Sequence, residues 1–237
     1  MAISKRVDFD LIRGKYARNG KGNVRLTQSS LFLTQTIDPT KSSYDFEVLE
    51  NQTQSLTADQ IRLNLNDEFI ITSLGVYLYG TYKYTTETGV VEYGKQLFSY
   101  VPYELGTIDK NTELPIRLKN LYAGVLKIAV NNIVYLEKFD TRRSEKITRT
   151  QFEAKNNSGT ITTSPSNDFN IDGMVKFSPM ITLSGAKKND INIRLPQAIE
   201  GGTFIWQTLN NQIEVTIDKI AVRAFGLLAQ NAAAFQG

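Results

Sequence analysis

The segment Asp168-Phe169-Asn170-Ile171-Asp172-Gly173 has a spacing that suggests metal chemistry. Alternate oxygen ligands followed by Gly open a calcium loop, where three side chains face one cation and Gly permits the turn. The closing bidentate Glu is missing, because Pro179 occupies that position. The competing reading is a strand entry and a turn, with Phe169 and Ile171 buried and the oxygens in water. Calcium binding by Asp168, Asn170 and Asp172 is left open by the sequence.

Acid–base chemistry finds little support. Asp67 and Glu68 are adjacent, so on a strand they face opposite ways. Asp8 and Asp10 sit in a cationic segment. The stretch 87–95 contains Gly without phosphate-loop spacing, and Lys187-Lys188 read as loop residues. The chain has no histidine and no cysteine. That removes the commonest general base, every Ser-His triad, thiolate catalysis, disulfides and Cys-ligated metal sites. The expectation is a protein that is not an enzyme and takes no cofactor.

The basic N-terminus carries more information. Residues 1–25 hold seven cations against Asp8 and Asp10, a local charge of +5 in a chain of net +3. Among them, Lys5, Arg6, Arg13, Lys15 and Arg18 are interleaved with Phe9, Leu11, Ile12 and Tyr16. Such a mixture suits an anionic surface, either nucleic acid or lipid headgroups, and the competing reading is a solvated tail. The moderate charge and scattered apolar residues fit headgroups better than a genome-binding tail. A short helix ending near Gly20 is expected, with Gly14 counting against it. No signal peptide is expected, and no apolar run is long enough to span a bilayer.

The elements that would carry these residues read as strands. Ile, Val, Thr, Tyr and Asn are abundant, and helix-period stretches are scarce. Strands are expected at 60–65, with Ile61, Leu63 and Leu65 on one face, and at 68–84. The latter is either one strand buried on both faces or two joined at Gly75. Further strands are expected at 90–103, 113–118, 125–130, 133–139, 174–183, 190–195, 203–209 and 212–225. Residues 140–168 are polar and read as an inter-domain connection. The tail after 225 reads as a helical turn or a segment draped over a neighbour. The predicted organisation is an arm at 1–43, one strand block at 44–145 and a second at 146–237.

One sentence is written twice. Ile116-Arg117-Leu118 precedes Gly124 and Asn131-Asn132, and Ile193-Arg194-Leu195 precedes Gly201 and Asn210-Asn211 with similar spacing. The arginines are expected to point away from the apolar strand faces, the glycines to turn corners at positive φ, and the asparagines to form hairpin tips. The repeat favours two domains of one topology over coincidental reuse of strand-and-turn grammar. An all-β chain of two tandem jelly rolls with an N-terminal arm follows.

The stretches 118–141 and 177–199 resemble, as patterns, parts of the major capsid proteins of small tailless bacteriophages with an internal membrane. The resemblance covers most of 50–225. It implies a double jelly roll, three chains forming a pseudo-hexameric capsomer, and an icosahedral shell assembled in the host cytoplasm. The implied partners are a homotrimer, neighbouring capsomers, penton or minor capsid proteins, and the internal membrane through Lys5, Arg6, Arg13, Lys15 and Arg18. No sequence-specific nucleic-acid binding is implied. The family is usually longer, so this chain would be a near-minimal member. A rival reading is a carbohydrate-binding jelly roll, such as a receptor-binding spike or lectin, with Tyr77, Tyr79, Tyr82, Tyr84 and Trp206 stacking on sugars. A carboxylate glycosidase would need a convergent Asp/Glu pair in a groove.

Overall fold

The computed structural model describes residues 2–18, 24–50, 60–86, 88–89, 91–99, 114–145, 173–207 and 212–233. In chain order these give helix α1 (Ala2–Arg18) and strands β1 (Arg25–Thr36), β2 (Ser43–Phe46), β3 (Glu68–Thr85) and β4 (Val91–Phe98). Helix α2 (Leu114–Lys119), β5 (Val125–Val130), β6 (Ile133–Asp140), β7 (Val175–Ser184), β8 (Asn189–Arg194), β9 (Gly202–Gln207) and β10 (Gln212–Gln230) follow. The chain is all-β in character, as its composition predicts.

Two long strands organise the fold, and both change parity along their length. On β3 the core side holds Phe69 and Ile71, then Leu74, Val76 and Leu78. The odd positions give way to even ones because Thr72 is skipped by both neighbouring strands. That extra residue keeps the apolar side chains facing inward, since a one-residue slip would turn them outward. The Thr72 hydroxyl fixes the bulge by donating to the Phe225 carbonyl at 3.0 Å. On β10 the same device lies at Asp218: Val215 and Ile217 precede it, and Ile220, Val222 and Ala224 follow. Gly226 faces the Thr72 bulge, where a Cβ would collide with the Ile70 carbonyl. The strand predicted at 68–84 is therefore continuous through Gly75.

The larger sheet runs β1-β10-β3-β4, with β7 also on β3 and β9 also on β10. The smaller runs β2-β8-β5-β6. Setting β4 and β9 aside, pairing is nested: β1 with β10, β2 with β8, β3 with β7, β5 with β6. The chain is thus one nested hairpin folded into two sheets. Leu31, Leu33, Leu74 and Val222 of one sheet and Phe46, Leu126, Ile128 and Ile193 of the other join one contiguous core. Each such side chain stabilises the fold by roughly 1.5–3 kcal/mol on burial.

This topology corrects the predicted organisation. The division at 145/146 is crossed by β2 and β5 pairing with β8, and by β3 pairing with β7 and β10. The described strands form one sandwich with one core, so the two halves are interleaved rather than tandem. Residues 25–36, expected in the arm, form β1 and pair along twelve positions with β10. The tail continues β10 to Gln230 instead of leaving the sheet.

The doubled sentence is also corrected. Ile116-Arg117-Leu118 lies in α2, whose first turn accommodates Pro115 because the missing N–H has no partner there. Ile193-Arg194 ends β8. Gly124 has φ −89°, so its role is close approach: a Cβ would lie 2.7 Å from the Arg194 carbonyl. Asn131 and Asn132, at φ 50° and 66°, do form the predicted hairpin tip between β5 and β6. Asn210-Asn211 lie outside the described residues. The copies are not equivalent but adjacent: Leu126 pairs with Ile193, and Arg117 bonds Glu200 at 2.6 Å. At 60–65 only Leu63 is buried, while Ile61 and Leu65 face solvent.

Candidate functional site

The first part of the predicted arm, Ala2–Arg18, is helical, as expected, and Gly14 lies within it. Ile12 and Tyr16, one turn apart, are buried on the outer face of the larger sheet against Ile70, Leu227, Ala229 and Ala232. The Tyr16 hydroxyl donates to Glu68 Oε2 at 2.7 Å. Burial, then the hydrogen bond to Glu68 and its charge, push the Tyr16 hydroxyl well above the ordinary tyrosine range. Glu68 is itself buried, so the adjacent Asp67 and Glu68 are separated in role. Asp67 instead holds the turn that follows β10, accepting from the Asn231 amide at 2.8 Å.

Arg13, Lys15 and Arg18 are exposed on α1, and the Arg18 side chain donates back to the Gly14 carbonyl at 3.2 Å. Arg13 and Lys15 are two residues, about 200° of helix rotation, apart. These cations therefore surround the helix rather than forming one basic face. Lys5 and Arg6 lie in the first turns of α1, and their side chains are outside the described residues.

The other chemical candidates divide cleanly. Asp168, Asn170 and Asp172 lie outside the described residues. Among the described residues no cluster of three or more Asp or Glu side chains offers a metal site. A carboxylate pair missed in the sequence, Asp45 and Glu47, lines a groove of about 570 Å³ with Thr34, Gln35, Gln60 and Arg62. Glu47 is held by Arg62 at 2.6 Å, and Asp45 accepts from Asn192 at 2.6 Å. Every side chain lining this groove is polar or charged. Each carboxylate ties neighbouring segments together, Glu47 to Arg62 and Asp45 of β2 to Asn192 of β8.

Of the aromatics proposed to stack on sugars, Tyr77 and Tyr79 are buried with Ala221, and Tyr82 is packed on the core. Tyr84 is half-buried, and the Trp206 side chain is outside the described residues. Large apolar side chains are exposed elsewhere. On β6, the end strand of the smaller sheet among the described residues, Ile133, Val134 and Tyr135 are consecutively exposed at 61, 45 and 52%. The register against β5 shifts beside them, with Val134 paired to Ala129 and Leu136 to Ile128, so Tyr135 is an unpaired bulge residue. Bulges blunt an edge against open-ended strand pairing, yet the apolar side chains stay uncovered.

Comparison with protein-family models, with curated proteins and with solved structures found no match.

Proposed function

We propose that this chain is a structural subunit of a virion shell, one jelly roll per chain, which assembles by packing against copies of itself. The observation that carries the reading is the uncovered apolar edge at Ile133, Val134 and Tyr135. A soluble monomer has no use for three adjacent exposed apolar residues, whereas a subunit covers them on assembly. The jelly roll by itself serves both coat and lectin functions. Burial of Tyr77 and Tyr79 takes two of the five aromatics named for a lectin reading out of reach of a sugar.

The pseudo-hexameric trimer implied by the resemblance required two barrels per chain, and one interleaved sandwich gives it no support. Light scattering with negative-stain microscopy on the full chain tests the proposal. Discrete oligomers or closed particles support it. A monomer at every concentration, binding glycans, contradicts it.

A further inference from the structure

The two outer faces of the sandwich differ in charge. Strand parity places Lys83, Lys95, Lys176, Lys219 and Arg223 on the outer face of the larger sheet. Among the described residues the carboxylates of this face are Glu214, directly opposite Lys83, and Glu68, which lies beneath α1 with Tyr16, while Asp45 and Glu47 border the groove that Lys219 also lines. The outer face of the smaller sheet balances Lys127 and Arg194 with Asp45 and Asp190. The exposed cations of α1 lie on the side of the larger sheet, extending its positive surface.

Aromatic rings are interleaved with these cations. Phe32 is the cross-strand partner of Arg223, and Tyr79 that of Lys219. The two rings meet edge to face at 5.3 Å. Beside them a groove of about 380 Å³ is lined by Phe32, Tyr79, Ile61 and Leu97, with Lys95 and Arg223 among its polar residues. No carboxylate lines it.

We infer that this groove is a binding site for single-stranded nucleic acid, read without sequence preference. The part-exposed Phe32 ring and the side chains of Ile61 and Leu97 accept base faces of any identity, the buried Tyr79 ring backs Phe32 from below, and cations spaced along neighbouring strands take the phosphates. A flat lipid surface cannot enter a groove, and an acidic peptide has no use for an aromatic floor. The inference deepens the shell reading, and rests on it for the statement that the larger sheet and α1 face inward, towards the cargo.

The test uses the full chain, kept dissociated at low concentration, so that binding is measured apart from assembly. Fluorescence anisotropy with a labelled oligothymidylate should show binding that weakens with salt, as counterion release requires. The double variant Lys95→Gln/Arg223→Gln should weaken binding at least about tenfold and flatten the salt dependence. Phe32→Ala should weaken it by about fivefold or more with the salt slope unchanged. Lys127→Gln/Arg194→Gln, on the opposite face, should bind as the parent does. Circular dichroism checks folding, and the exposed site of Lys95 keeps the charge test valid if Phe32→Ala fails to fold. Absence of oligonucleotide binding would overturn the inference. So would binding that survives the groove variants, or groove-dependent binding to anionic phosphatidylserine vesicles without binding to the oligonucleotide. Shell assembly with no oligonucleotide binding would refute this inference alone.

Discussion

The Tyr16 hydroxyl donates to Glu68 across 52 positions of sequence and joins the N-terminal helix to the first residue of β3. The residues expected to form a free basic arm are thereby seated on the larger sheet. Replacing Tyr16 by Phe keeps the ring and leaves the buried carboxylate without that donor. The expected cost is about 1–3 kcal/mol, as for other buried polar groups that lose a partner. Thermal unfolding measures it, and an unchanged midpoint would show that the bond does not hold α1.

The same pair predicts a pH dependence. The Tyr16 hydroxyl is raised above its ordinary value by burial and by Glu68, so folding favours its neutral form. Below the ordinary tyrosine pKa of about 10 both folded and unfolded chains carry the neutral hydroxyl, and the contribution is fully present. As pH rises past about 10 the unfolded chain ionises first, and stability is lost. The advantage of the parent over Tyr16→Phe should therefore shrink between about pH 10 and 11.5 in paired melts. A constant difference would contradict the raised pKa.

Backbone approach at the bulge sets a third expectation. Gly226→Ala places a methyl group against the Ile70 carbonyl, in the β3–β10 pairing at the centre of the fold. Neither strand can retreat without breaking the ladder, so a loss of about 1–3 kcal/mol or more is expected from overpacking. Denaturant unfolding reads it directly, and a neutral result would mean that the bulge is softer than its geometry indicates.

The contact between Arg117 and Glu200 should matter little by contrast. Both side chains are about half exposed, so their attraction is screened by water. Arg117→Ala is expected to change stability by less than about 1 kcal/mol in the same assay. A larger loss would make the junction of the two motif copies a structural anchor.

How much of this was legible in the sequence depends on parity and on distance. Short alternating runs such as Leu126–Val130 and Ile191–Ile193 reveal their faces, and the Asn131-Asn132 tip announces itself by its tolerance of positive φ. Bulges at Thr72 and Asp218 break the alternation of the two longest strands, so no period-2 reading recovers their faces. Ile-Arg-Leu adopts helix in one place and strand in another, because Pro115 starts a helix and β5 recruits the second copy into a sheet. Nested pairing joins β1 to β10 across most of the chain, and nothing local in 25–36 separates a strand from an arm. The cations and rings of the larger sheet come from β1, β3, β4, β7 and β10, which only the topology brings together.

The central claim, that Ile133, Val134 and Tyr135 are covered by another copy, is tested most directly by the double variant Ile133→Asp/Tyr135→Asp. Both positions are exposed in the isolated chain, so the melting midpoint should be unchanged within about 2 °C, as for surface substitutions. Light scattering and negative-stain microscopy should show the parent forming discrete oligomers or particles and the variant remaining a monomer. A variant that assembles as the parent does, or a parent that is itself monomeric throughout, would contradict the account.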